Sequence, residues 1–305
     1  MNVYPDHVRP VLRQLLVSAL PGPINAQNRI AVVGLPRSGT SWLAKAIALA
    51  DRVQYYFEPD RVYHREFLYP YPTAASDNSA LKAHCDTTFK GGIHNSYTIA
   101  EQDFSNIIGA YRAQTVLVKW VRFGLCLEWL ARTYPDLMIV QTVRNPVPLF
   151  LSWRARDWTP DHSLNQLLAL DELMDGPLQP FAAAMRDAVS GSYWQKAGAF
   201  WGAVTYMQHR YNQPGWILRE HEWYCEDSVG RIKWLVGELG LNWNADIENF
   251  LSPKRKNDSG PGYGKNRDPK TELTKWHGKI SEAEMGELRA MVEQFELPYY
   301  SDLFG

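Results

Sequence analysis

Short apolar runs alternate with stretches of helical spacing through the first half of the chain. Arg29 to Gly34 (RIAVVG) is apolar and ends in glycine, and helical spacing follows through Ala50. That order reads as strand, phosphate-type loop and helix. Val53 to Phe57 reads as a second strand, Val116 to Trp120 as a third, and Leu137 to Val143 as a fourth. Leu125 to Tyr134 has a helical pattern, and Val147 to Arg156 follows Pro146, which fits a first helical position. Residues 60 to 113 lose clear periodicity. Residues 160 to 212 read as mostly helical with a break at Gly176-Pro177, Gly215 to Arg219 as a last strand, and 227 to 239 as a helix. Ser281 with Glu284 three residues later opens a final helix with a capping box. Strands alternating with helices imply a three-layer α/β domain, a parallel sheet covered on both faces.

Before the first strand, Val8, Val11, Leu12, Leu15, Leu16 and Ala19 repeat at helical spacing ahead of Pro21-Gly22-Pro23. The pattern predicts a helix packed on the domain, with docking on a membrane surface as the alternative.

The 305 residues, 45% hydrophobic and 21% charged, fit one large globular domain rather than two. A net charge of −1 supplies no global field for nucleic acid or anionic lipid, so an anion site must be built locally. Cys85, Cys126 and Cys225 are far apart and form no zinc-like spacing, which suits a reducing compartment. There is no apolar run of the roughly eighteen residues a span requires, and no signal-peptide pattern. The expected location is cytoplasmic, with no metal constellation and no nucleic-acid partner.

The chemistry concentrates in Gly34-Leu35-Pro36-Arg37-Ser38-Gly39-Thr40-Ser41. The two glycines have P-loop spacing, and backbone N–H groups at such a strand-to-helix turn cradle phosphate. Thr40 stands where a Walker loop needs lysine, so a β,γ-phosphate cradle lacks its main charge, while Arg37 puts a cation mid-loop. The same residues also fit a tight turn without a ligand. About a hundred residues on, Arg144 ends a strand and Ser152 falls eight residues later in the next helix. A guanidinium and a hydroxyl so placed can grip one phosphate.

Pro36-Arg37-Ser38-Gly39-Thr40-Ser41-Trp42-Leu43 resembles the 5′-phosphosulfate loop of sulfotransferases that use 3′-phosphoadenosine 5′-phosphosulfate (PAPS). The Arg144/Ser152 pair resembles that family's 3′-phosphate motif. Lys119-Trp120-Val121-Arg122, the stretch Asp136-Leu137 to Pro146, and Phe57-Glu58-Pro59 are similar to the carbohydrate branch. The likeness covers about 29 to 156 and returns weakly at Leu218-Arg219-Glu220 and at Lys265-Asn266-Arg267 with Trp276.

The resemblance implies a fold like the P-loop nucleotide kinases and a donor held by Pro36, Arg37, Ser38, Gly39, Thr40, Ser41, Trp42, Arg144, Ser152 and Arg267. Its catalytic lysine matches Lys119. The histidine some members use as base is replaced by Val121, which turns attention to Glu58, at the end of the neighbouring strand. Glu58 is also open to a structural role, paired with Arg37 or Arg122. His64 and His84 are the rival bases. They and Arg122 are acceptor-side candidates, and Lys119 and Arg122 also fit a salt-bridged basic pair. The Lys/Arg/Gly-rich stretch 252 to 270 is expected to be a loop or flap over the nucleotide.

The implied organisation is a lead-in over 1–28, a PAPS-binding core over 29–156, and a helical acceptor and cap region with the covering loop over 157–305. The implied activity is sulfuryl transfer from PAPS to a hydroxyl of a carbohydrate or other acceptor, without a required metal. A P-loop kinase and a non-catalytic PAPS-binding protein are the alternatives.

Overall fold

The computed structural model describes residues 26–60, 69–92, 98, 112–252 and 269–298. The expected N-terminal helix, His64, Arg267 and most of the 252–270 loop lie outside these residues.

Five parallel strands form one sheet in the order β2-β3-β1-β4-β5. In chain order the elements are β1 (Asn28–Val33), α1 (Thr40–Ala48), β2 (Val53–Phe57), α2 (Ser79–Phe89) and β3 (Thr115–Trp120). Then come α3 (Leu127–Thr133), β4 (Leu137–Val143), α4 (Pro146–Arg154), α5 (Asp161–Leu168), α6 (Asp171–Met174) and α7 (Ala182–Ala188). The remainder is α8 (Tyr193–Arg210), β5 (Ile217–Glu220), α9 (His221–Glu226), α10 (Ser228–Glu238), α11 (Ala245–Leu251), α12 (Pro269–Thr274) and α13 (Glu282–Glu293). The three-layer parallel sheet expected from the alternating pattern is the architecture observed.

Side chains alternate across the sheet because the strand period is two. On one face Ile30, Val32, Leu117, Tyr55 and Phe57 pack with Leu43 and Ile47 of α1 and with Ile232 and Leu235 of α10. On the other, Ala31, Val33, Val116, Val118 and Trp120 pack with Leu81, Cys85 and Phe89 of α2 and Leu130 of α3. Strands covered on both faces explain why the sequence shows continuous apolar runs here. Lys119 shares the face of Leu117, and this parity aims it at the side where α1 begins.

A third core joins α4 to α8 and α13, with Phe150, Trp153, Trp194, Phe200, Trp201 and Phe295 buried. Each such side chain contributes about 1.5–3 kcal/mol on burial. Most of the tryptophans are therefore packing groups. Pro146 is the first residue of α4, with Asn145 accepting from the Val147 N–H. The Ser281/Glu284 capping box is formed in both directions.

Three expectations need correction. Residues 60 to 113 include a helix, α2, whose weak amphipathic signal hid among polar residues. His84 thus stands on a helix, not in a loop. The helix expected from Leu125 begins as a 3₁₀ turn at Phe123–Leu125 and becomes α-helical only at Leu127.

Candidate active site at the carboxyl edge of the sheet

The loop after β1 is shaped by two glycines with different tasks. A Cβ at Gly34 would lie 2.5 Å from the Thr142 carbonyl oxygen on β4, so only glycine lets the strands approach. Gly39 has φ +89° and faces the His221 ring, whose Nδ1 would lie 2.1 Å from an added Cβ. Between them Arg37 has φ +76°, a left-handed conformation that costs a non-glycine residue about 1–2 kcal/mol. That strain is offset locally. The Arg37 carbonyl accepts from Arg144 Nη1 at 2.8 Å, and Arg37 Nε donates to Ser152 Oγ at 2.9 Å. Pro36 is fixed by Trp153, whose indole N–H donates to its carbonyl at 3.0 Å.

The cation missing at position 40 arrives from β3. Lys119, 1% exposed, donates to Ser41 Oγ at 2.8 Å and to Glu58 Oε1 at 2.5 Å, and lies 4.1 Å over the Phe57 ring. An ammonium this buried needs a counter-charge, which Glu58 supplies. Glu58 continues the β2–β3 ladder, its N–H donating to the Lys119 carbonyl at 3.0 Å, yet has φ +42°. Left-handed backbone at a non-glycine residue on a strand end is the strain that clusters at functional sites. Among the described residues its ion pair is with Lys119, where the sequence had offered Arg37 or Arg122.

Arg122 pairs instead with Asp60, at 3.5 Å, and Asp60 also accepts from the Val121 N–H at 3.2 Å. Asp60 is fully buried. Burial first, and then the Glu58 charge, push its carboxyl up to about 6 against the opposing pull of Arg122. Sequence reading passed over Asp60, because a carboxylate three residues beyond the strand carries no motif of its own.

The second anchor adjoins the first. Arg144 is buried, with its carbonyl held by the Trp201 indole at 2.9 Å and the next backbone N–H, of Asn145, donating to Glu222 at 3.2 Å. Ser152 Oγ accepts from Arg37 and also from Arg156 Nη1, the latter at 3.2 Å. Arg156 was likewise missed by sequence reading, although it lies one helical turn beyond Ser152. Arg144 Nη2 meets Glu272 of α12 at 2.9 Å.

Of the other expected residues, Thr40 is buried at the start of α1, and Trp42 meets the His221 ring edge-on at 5.8 Å. His221 was not singled out from sequence. Burial, then Arg144 and Lys275, hold its pKa well below the usual histidine value, so it is a neutral wedge against Gly39. His84 is pushed down to about 4 by burial, which makes it a weak base near neutral pH.

Two polar atoms test whether a phosphorylated nucleotide suits this edge. Ser38 Oγ and Arg144 Nε are buried with no hydrogen-bond partner among the described residues. Buried donors are normally satisfied, and phosphate oxygens fit both. The residues present therefore fit PAPS. No cluster of His, Cys, Asp or Glu able to hold a metal occurs among the described residues. No helix there is long and apolar enough to cross a membrane.

Residues 29–174 match the model of the Sulfotransferase family. The match runs from β1 to α6, includes Arg37, Glu58, Lys119, Arg144 and Ser152, and covers just under half of the chain. Over those residues the chain is similar to the Sulfotransferase family. No curated protein matches this chain in sequence. Solved structures with similarity include a sulfotransferase from Alicyclobacillus acidocaldarius, at 14% identity, 88% of this chain, 96% of that one and TM-score 0.41. The sulfotransferase domain of the Synechococcus PCC 7002 olefin synthase is 14% identical over 89% of this chain and 96% of its own, with TM-score 0.46. Mouse sulfotransferase SULT7A1 complexed with PAP is 14% identical over 96% and 92%, with TM-score 0.43. Likeness at this level carries no argument about activity, and the topology rests on the strand order of this chain.

Proposed function

We propose that the protein transfers a sulfuryl group from PAPS to a hydroxyl of a carbohydrate or glycoconjugate acceptor. The observation that carries this reading is the contact between the two anchors. The loop arginine, Arg37, touches both Ser152 and Arg144, so a donor with phosphates at its 5′ and 3′ ends spans one continuous cationic edge.

In this reading the acceptor hydroxyl attacks sulfur in line. The new O–S bond forms, the S–O bond to the 5′-phosphate breaks, and the hydroxyl proton passes to Glu58. Negative charge on the departing bridging oxygen is met by Lys119, buried and already positioned, and by Arg37, held in place by Ser152. Ser38, Gly39, Thr40 and Ser41 line the 5′ group, Trp42 lies toward the adenine, and Arg144 with Ser152 holds the 3′-phosphate. Arg122, tied to Asp60, and the two histidines His64 and His84 are assigned to the acceptor side, and Arg267 to the nucleotide cover. The carbohydrate acceptor is supported by the Phe57-Glu58-Pro59 and Lys119 to Arg122 patterns. The division into a donor core over 29–156 and an acceptor and cap region over 157–305 follows the same assignment. A cytoplasmic site of action is supported by three buried, free thiols.

The test is incubation of enzyme, PAPS and a glycan or metabolite extract, read by mass spectrometry for sulfated products. Sulfated carbohydrate establishes the reading, a sulfated non-carbohydrate corrects the acceptor, and phosphorylated product with ATP–Mg²⁺ moves the protein to the kinases.

A further inference from the structure

The place assigned to the 3′-phosphate already holds an anion. Glu272, on α12, accepts from Arg144 Nη2 at 2.9 Å and from Lys275 Nζ through the same oxygen, Oε2. The Arg144 and Glu272 side chains are 6% and 11% exposed, so the pair is largely shielded from water. The grip on the guanidinium is incomplete. Arg144 Nη1 is spent on the Arg37 carbonyl, and Nε is buried with no partner among the described residues. A single carboxylate oxygen therefore engages one N–H group of a fork built for two.

We propose that Glu272 is an internal counter-ion that the donor's 3′-phosphate displaces, with Lys275 passing from the carboxylate to the phosphate. The proposal rests on the PAPS reading of the Arg144 anchor. Three features of the geometry support it. Arg144 and Lys275 are two cations converging on one point beside His221, a ring that burial first keeps neutral, so an anion must balance them. Glu272 meets that need before the donor arrives. A phosphate monoester, with close to two negative charges and three acceptor oxygens, satisfies the whole Arg144 fork together with Lys275 and outcompetes one oxygen. A nucleotide lacking the 3′-phosphate has nothing to exchange with Glu272, so the exchange sharpens selection for 3′-phosphorylated nucleotides. Lastly, Glu272 and Lys275 sit in and just after α12, so the exchange ties occupancy of the anchor to the seating of this helix beside α9.

Calorimetric titration of the full chain with 3′-phosphoadenosine 5′-phosphate and with AMP, at one fixed ionic strength, tests the idea. Glu272→Gln removes the competing charge and keeps the shape. It is expected to bind the 3′-phosphorylated nucleotide about tenfold tighter, the scale of one charge-assisted bond freed from competition. AMP affinity should stay within about twofold of wild type. Lys275→Gln removes the second cation, so it should weaken the 3′-phosphorylated nucleotide by roughly tenfold and leave AMP unchanged. If Glu272→Gln binds the 3′-phosphorylated nucleotide no tighter than wild type, the displacement is wrong. An unchanged affinity in Lys275→Gln likewise overturns it, and does so even where Glu272→Gln fails to fold. Wild-type protein that does not distinguish the two nucleotides would instead overturn the anchor itself, and the proposal with it.

Discussion

Arg37 Nε donates to Ser152 Oγ at 2.9 Å, joining two residues 115 positions apart in the chain. Arg156 donates to the same oxygen at 3.2 Å, so both lone pairs of the hydroxyl are taken and its own O–H is left to donate outward. The loop read as holding the 5′ end of a nucleotide and the serine read as holding its 3′ end thus brace each other. Neither anchor is independent of the other, and a change in one is felt in both.

Replacing Arg144 with alanine should weaken 3′-phosphoadenosine 5′-phosphate by about ten- to a hundredfold, the scale of a charge-assisted bond. Ser152→Ala should cost roughly fivefold, because a neutral hydroxyl contributes less. Adenosine 5′-phosphosulfate, without a 3′-phosphate, should lose much less in Arg144→Ala, through the lost contact to the Arg37 carbonyl alone. Calorimetry with the two nucleotides separates the effects, since a misfolded protein loses both. Equal losses for both would show that Arg144 does not read the 3′-phosphate.

Glu58→Gln should lower turnover by about 10²–10⁴ while leaving nucleotide affinity close to wild type, as expected for loss of a general base. The glutamine keeps a hydrogen-bond acceptor for the buried Lys119 but not a counter-charge, so melting temperature must be followed alongside the rate. Near-wild-type turnover in a folded variant would remove Glu58 from the proton-transfer role. A lost rate accompanied by lost folding would assign it to the support of Lys119.

Legibility in the sequence followed locality. The first four strands and the phosphate loop are announced by largely apolar runs and by glycine spacing, β2 and β4 fall on the expected residues, and β5, half charged, lies two residues later at its start than expected. The face on which Lys119 emerges follows from strand parity alone. Partnerships between distant residues were not legible. Nothing in the pattern pairs Glu58 with Lys119 rather than with Arg37 or Arg122, because all are charged and lie near the same strand ends. Asp60, His221 and Glu272 gained their positions from chain crossings at the sheet edge. One clue existed for Arg156, which lies four residues beyond Ser152 and so on the same side of a helix.

Gly39→Ala should destabilise the protein and abolish nucleotide binding together. The left-handed backbone costs about 1–2 kcal/mol, and the added methyl meets the His221 ring, a neighbour with no flexible end to move. The double variant Gly39→Ala with His221→Ala should recover the steric part of the loss, leaving the backbone part. Thermal unfolding with and without nucleotide distinguishes the contributions. A Gly39→Ala protein as stable as wild type would mean that the loop relaxes away from His221 freely.

Asp60 makes a pH-dependent contribution whose direction is fixed by its environment. Its carboxyl is raised from 3.8 to about 6 in the folded protein, by burial first and by Glu58 next, while Arg122, the Val121 N–H and Lys119 act the other way. Between those two values the folded chain holds a proton that the unfolded chain has released. Stability must therefore fall as pH rises through this window, and the loss is complete once Asp60 ionises in the folded state. A shift of about two units corresponds to a loss on the order of 3 kcal/mol. Asp60→Asn removes the titration and keeps the acceptor for the Val121 N–H, so its stability should lack this fall between about pH 4 and pH 6. Urea unfolding at intervals across that window reads the slope directly. Comparing slopes rather than absolute stabilities sets aside the cost of leaving Arg122 without its counter-charge, which changes little over a range where arginine stays protonated. Identical slopes in the two proteins would mean that Asp60 titrates normally and that Arg122 compensates its burial fully.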